Sequence, residues 1–334
     1  MKILGFGDFL IHFSPVGDAR FDQADLMQIS FTGAEANACA ALGLWGVPTA
    51  FVTRLPDHAL ARRGLRFLKG FDVDVAHVPF SHGRMGAYYL ENGRSLRPSS
   101  VIYDREDSAF TTSRYEDYDW DAILARTDVL YLSGITPFLS EGLASSCLSL
   151  LKESKARGIR VFFDLNYRPA LGSTEAFAAV VKPLLPYIFC LIGNEEHIKS
   201  TLGLSSAYGE EETSLRLRDI AEKAREQTGV RRIAVTLRRT LSADEAMIGS
   251  AYLCENEFLF EELRRVPVID RVGSGDAFSA GMLYGFAKGL SPKDTLSFAA
   301  ASCALKHTVM SDVNFSTVDE ILALTRKECK DVRR

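Results

Sequence analysis

The chain has 334 residues, 47% hydrophobic and 25% charged, with 39 basic against 43 acidic side chains and a formal charge of −4. Such proportions exclude extensive disorder, and no concentrated basic face is available for nucleic acid. No apolar run approaches the roughly 20 residues of a membrane helix, and the start, Met1 to Asp8, is too soon interrupted for a signal peptide, so a cytoplasmic protein is expected.

Read in chain order, the first short apolar run, over 3–7, predicts a strand closing on Asp8. Residues 9–31 read as strand-like, and 34–44 as a helix. A second strand-like stretch, 84–105, contains Ala87-Tyr88-Tyr89-Leu90-Glu91 running into Asn92-Gly93, a hairpin signal. Strands are then predicted over 129–133, 161–165, 189–192 and 233–237. Helices are predicted over 142–157, 174–185, 213–228, 276–288 and 292–306. Continuous apolar strands joined by helices imply an α/β fold with a parallel, Rossmann-type sheet covered on both faces. The two strand-like stretches, 9–31 and 84–105, read as a small β layer laid over one edge of the main sheet. In such sheets ligands bind beyond the carboxyl ends of the strands, where Asp8, Asp164, Asn166 and Asn194 fall.

Neither cysteines nor histidines show metal spacing. Cys39, Cys147, Cys190, Cys254, Cys303 and Cys329 are scattered and read as buried thiols. The chemistry is carried by Arg271-Val272-Gly273-Ser274-Gly275-Asp276-Ala277-Phe278, which opens a small-residue apolar helix. Glycines there let backbone approach an anion, and a helix N-terminus offers free N–H groups at the positive end of its dipole, so a phosphate suits the position. Asp276 could equally be an N-terminal cap. A dinucleotide fingerprint lacks its third glycine, and no P-loop occurs.

Residues 270–278 resemble the signature of the ribokinase-like (PfkB-type) carbohydrate kinases. Gly33-Ala34-Glu35-Ala36-Asn37 is similar to the family's N-terminal sugar-holding segment. The resemblance spans essentially the whole chain and implies a single ribokinase-like domain over 1–334, a Rossmann-like core with 9–31 and 84–105 as its β lid. It implies a kinase using ATP and Mg2+, with Asp276 as catalytic base and the N–H groups of Gly273, Ser274 and Gly275 holding the charge on the transferred phosphoryl. Four segments resemble 2-keto-3-deoxygluconate kinases in particular: 102–105, 133–136, 164–168, and 304–308 with Asp312 and Asn314 following. By that resemblance Gly33, Asn37, Tyr88, Tyr103, Arg105, Arg168 and Asp312 contact a sugar acid. Asn166, Asn194, Thr236, Arg238 and His307 lie on the nucleotide side.

An acid substrate also suits the chemistry, because guanidinium groups bind carboxylates with paired, charge-assisted hydrogen bonds. Either arginine could instead pair with a nearby acid, Arg105 most of all beside Asp104, Glu106 and Asp107. The tyrosines could be lid packing, and His307 structural. Three positions depart from the family pattern. His197 stands where a magnesium-organising Glu is usual, leaving the metal's carboxylate open. Arg238-Arg239 replaces a glycine-containing turn. Arg271 stands where Thr is frequent, which gives no basis for a monovalent-cation site. Rival readings are a family kinase for another sugar such as fructose, a catalytically silent sugar-binding regulator, and a dehydrogenase without its fingerprint. Apolar lid strands, 87–90 in particular, suggest a homo-oligomer paired through the lid.

Overall fold

The computed structural model describes residues 1–326. Its nine-stranded sheet runs in the order Glu257–Pro267, Glu245–Cys254, Arg232–Ser242, Cys190–Asn194, Arg160–Asp164, Val129–Ser133, Ile3–Phe6, Thr49–Val52, Val73–Asp74. From Arg232–Ser242 onward all neighbours are parallel. The predicted strands are present, and the continuous apolar runs have the expected cause. In Val129–Ser133 every residue is buried. Leu130 and Leu132 point into one helical layer with Leu150 and Phe163, while Val129 and Tyr131 point into the other with Leu283 and Phe298. Alternate side chains serve opposite faces, so both must be apolar.

The sheet is not purely parallel as expected. Glu245–Cys254 and Glu257–Pro267 add two long antiparallel strands at one edge. Glu257–Pro267 is mostly half-buried or exposed and carries Glu and Arg, so it shows no apolar run.

A separate four-stranded sheet has the order Met27–Thr32, Leu10–Pro15, Ala87–Glu91, Ser100–Asp104. It comprises the two stretches read as a lid. Asn92-Gly93 does not make a tight hairpin; it opens a loop over 92–99 that closes on itself through Arg94 and Arg97, with Gly93 N–H donating to Ser99 Oγ at 2.9 Å. Residues 87–90 also differ from the expected exposed strand. They are paired on both sides, and Ala87, Tyr88 and Leu90 are buried. The exposed apolar side chains sit on the neighbouring edge strand, at Val101 and Ile102.

Helix Ser274–Lys288 packs between Ala34–Leu44 and Pro292–Lys306. Its small residues permit close approach: a Cβ at Gly281 would lie 2.5 Å from Ala299 Cα. Phe278 and Phe298 are fully buried in this layer, each worth about 1.5–3 kcal/mol of apolar burial. Cys39, Cys147, Cys190, Cys254 and Cys303 are free thiols, while Cys329 lies outside the described residues. Among the described residues no helix is long and apolar enough to cross a membrane.

Candidate active site

At the carboxyl ends of the parallel strands lies a cavity of about 940 Å³, walled on one side by the small sheet. Of the residues expected at the site, all but Asp312 line it: Gly33, Asn37, Tyr88, Tyr103 and Arg105 from the first helix and small sheet; Asn166, Arg168, Asn194, Thr236 and Arg238 from strand ends; and Gly273, Ser274, Gly275, Asp276 and His307. Asp312 is buried behind the turn, its Oδ2 3.1 Å from His12 Nδ1. Its own carbonyl oxygen packs so closely on Gly273 that a Cβ there would lie 1.9 Å away. It therefore stands at the rim of the site, behind Gly273, and does not line the cavity directly.

The turn is built as glycine chemistry requires. Gly273 adopts φ +76, a left-handed conformation, and caps helix Ser274–Lys288. A Cβ on Gly275 would meet nothing within 4 Å, which leaves open space at the helix start. The backbone donors are fewer than expected. Ser274 N–H donates to Arg271 O at 3.2 Å, whereas among the described residues Gly273 and Gly275 N–H have no protein acceptor. The seat for an anion therefore rests on those two groups, not on Ser274.

Asp276 is 7% exposed, and its Oδ2 accepts from Asn37 Nδ2 at 2.8 Å. Burial raises its carboxyl to about 6, against the opposing effects of the Asn37 hydrogen bond and the Arg168 charge. It is thus ionised at neutral pH yet far more basic than an ordinary aspartate, as a base for a hydroxyl proton should be. Asp164 stands nearby. Its Oδ1 accepts from Asn166 N–H at 3.1 Å and its Oδ2 from Ser279 Oγ at 3.2 Å. Burial, then the Asp276 charge, raises it to about 7. Asn166 takes φ +42 to make this local turn.

The arginines divide into two kinds. Arg105 is buried, with Nη1 3.6 Å from Asp8 Oδ2 and its guanidinium carbon 4.3 Å from the Tyr103 ring centre. Its partner is thus Asp8, not the adjacent acids; Asp104 pairs with Arg84. Arg168, Arg238 and Arg271 line the cavity and, among the described residues, make no ion pair. Unpaired cations converging on one cavity mark a place for anionic ligands. Arg239 differs from its neighbour: it donates to Glu210 O at 2.6 Å and Thr213 Oγ1 at 3.1 Å, so it is a structural tie.

The two histidines that line the cavity, His197 and His307, are neutral. Burial, then Arg168 and Arg238, lowers His197 to about 4. Burial likewise takes His307 to about 4, and its Nδ1 lies 2.7 Å from Cys303 O. Asn194 Oδ1 accepts from His197 N–H at 2.7 Å, capping helix Glu195–Leu202. The neighbouring acids are engaged elsewhere: Glu195 with Arg216 at 2.7 Å and Glu196 with Lys199 at 2.9 Å.

Sequence reasoning missed Glu35. Its Oε1 accepts from Ser133 N–H at 2.7 Å and Thr136 Oγ1 at 3.0 Å, and burial raises it to about 7. It ties the first helix to the end of strand Val129–Ser133 and lines the cavity. The available signal was an acid in the otherwise apolar stretch Ala34-Glu35-Ala36-Asn37-Ala38.

The geometry agrees with comparisons to known proteins. Residues 2–317 match the family described as pfkB family carbohydrate kinase. A Haloferax volcanii protein named 2-dehydro-3-deoxygalactonokinase is 32% identical over 325 residues, covering 97% of this chain and 96% of its own. One from Thermoproteus tenax, named 2-dehydro-3-deoxygluconokinase, is 27% identical over 93% of this chain and 90% of its own. The crystal structure of 2-dehydro-3-deoxygluconokinase from Thermotoga maritima superposes with a TM-score of 0.93 at 34% identity, covering 98% of this chain and 99% of that one. The match over residues 2–317, with relatives alike along nearly their whole length and an open glycine turn beside a basic carboxylate, places this chain in the PfkB family of carbohydrate kinases.

Proposed function

We propose that the protein transfers the γ-phosphoryl group of ATP to the terminal hydroxyl of 2-keto-3-deoxygluconate, giving the 6-phosphate. The observation that carries this reading is the pairing of Asp276 with the open turn at Gly273 and Gly275, in a cavity that also presents Arg168 without a carboxylate partner. Asp276 takes the proton of the attacking hydroxyl as its oxygen bonds to the γ-phosphorus. The bond to the β–γ bridging oxygen breaks, and ADP leaves. Gly273 and Gly275 N–H hold the charge spread over the transferred group. Arg168, with Arg105, holds the sugar carboxylate, and Arg238 lies toward the nucleotide phosphates. His307, with Nδ1–H given to Cys303 O, keeps Nε2 as an acceptor on the base side.

Magnesium is expected to enter on the phosphates. Among the described residues no group of three or more His, Cys, Asp or Glu is arranged for a metal. Phosphate oxygens and water supply most magnesium ligands in kinases. Asp164 is a cavity carboxylate that, among the described residues, makes no ion pair, and it would complete that shell. The metal would neutralise charge on the transferring group.

The name of the Haloferax relative supports one alternative, the C4-epimeric 2-keto-3-deoxygalactonate. A coupled ADP-release assay across both sugar acids, fructose and ribose tests the reading. Turnover on a sugar acid should exceed that on the neutral sugars, and a preference for fructose would overturn it.

The small sheet also offers a surface for a second copy. Ser100–Asp104 is an edge strand with Val101 and Ile102 exposed, and unpaired strand edges invite pairing.

A further inference from the structure

Lys306, the last residue of helix Pro292–Lys306, is 0% exposed. Lysines are almost never fully buried unless paired, and among the described residues no carboxylate lies within ion-pair distance of this one. Its Nζ instead donates to two backbone carbonyls, Asp270 O at 3.2 Å and Val309 O at 3.1 Å. Asp270 opens the segment that becomes the Gly273–Asp276 turn. Val309 belongs to the loop carrying Asp312, against whose carbonyl Gly273 packs. The same two segments meet again where Ile269 and Asp270 N–H both donate to His307 O, at 2.8 and 3.2 Å. The charge is balanced at longer range by the carboxylates of Asp270, Asp312 and Asp276.

Two carbonyls turned toward one buried point make a site for a positive charge, and this chain supplies that charge covalently. We infer that Lys306 is a built-in cation that holds the phosphoryl-binding turn in its left-handed shape, occupying the place where a small monovalent cation would otherwise bridge the two carbonyls. It touches neither substrate, so it is a positioning residue. Its removal leaves two buried carbonyls unmet and frees the turn to relax. The inference deepens the reading of Gly273–Asp276 as the phosphoryl seat and rests on it.

The test is chemical rescue. Lys306→Ala, checked for folding by circular dichroism, should lose at least about tenfold in kcat while the sugar KM stays within a few-fold. Potassium, ammonium or methylammonium should restore kcat in a saturable way, and none of them should stimulate the unmutated enzyme. A folded variant with unchanged kcat would overturn the inference, as would a folded, slow variant that no small cation restores. Should the variant not fold, the unmutated enzyme decides. Equal turnover in potassium and tetramethylammonium buffers is the expected result, and a potassium requirement would sink the inference. Asp276→Asn assayed alongside separates the two readings: normal turnover there removes the phosphoryl seat itself, whereas rescue of Lys306→Ala reports on the lysine.

Discussion

The side-chain amide of Asn37 donates to Asp276 Oδ2 at 2.8 Å, joining the first helix to the glycine turn at Gly273 across 239 residues of sequence. The bond favours the carboxylate and offsets part of the rise that burial imposes. Turnover should therefore be near its full value at pH 7 and above, and fall by half as pH drops to about 6, where Asp276 takes a proton. In Asn37→Ala the acid limb should move to higher pH. A kcat–pH profile of the two proteins checks this, and an unmoved limb would count against Asp276 as base.

Asp276→Asn should bind nucleotide and lose about 10²–10⁴-fold in kcat, the usual contribution of a general base. It should also melt higher than the unmutated protein at neutral pH, because it removes a buried charge. Steady-state kinetics and thermal unfolding on one preparation test both halves.

Gly273→Ala and Gly275→Ala should part company. The first forces a side chain into φ +76 and onto Asp312 O, and should cost about 1–3 kcal/mol or more of stability together with turnover. The second meets nothing in the protein, so the melting midpoint should hold. Its methyl group enters the anion seat, and kcat should fall. Equal kinetic profiles with normal ATP affinity in Gly275→Ala would refute the seat.

The arginines should separate in the same manner. Arg168→Gln should raise the sugar-acid KM by roughly tenfold to a hundredfold, the worth of one charged hydrogen bond of about 1.5–3 kcal/mol, and leave stability unchanged. Arg105→Gln should raise KM and also destabilise, because it leaves Asp8 buried without its cation. Asp8→Asn in the Arg105→Gln background should recover part of that stability.

Burial raises Glu35 and Asp164 to about 7 and Asp276 to about 6, each above its unfolded value. Such groups favour the folded state below their unfolded values near 4, and that contribution is lost as pH rises toward 7. The melting midpoint should accordingly be higher at pH 5.5 than at pH 8, and Glu35→Gln should narrow the difference. A difference between pH 5.5 and pH 8 that stays as large in Glu35→Gln as in the unmutated protein would argue against this assignment to Glu35.

Pairing through the small sheet predicts a dimer by light scattering, with Ile102→Asp shifting it to monomer while keeping its circular dichroism spectrum. A monomeric unmutated protein at assay concentration would discount the surface.

What could be read from the chain alone was local. Residues 270–278 are contiguous, so glycines, helix start and acid announce a phosphate turn without any knowledge of neighbours. The five apolar runs likewise declare strands covered on both faces. Where the meaning depended on a distant partner, it was not legible. Nothing in the chain announced that the Asp312 carbonyl packs on Gly273, or that Ser274 N–H donates to Arg271 O. Arg105 finds Asp8 from another element in place of the acids beside it. Residues 87–90 are inner or edge only according to which strands flank them. The antiparallel strand 257–267 carries charges on a half-exposed face, so no long apolar run betrayed it, and in 245–254 the apolar residues are split by Gly249 and Ser250. The sequence determined the turn and its acid; tertiary packing decided the basicity of Asp276, because burial and the Asn37 bond come from residues the chain brings back only on folding.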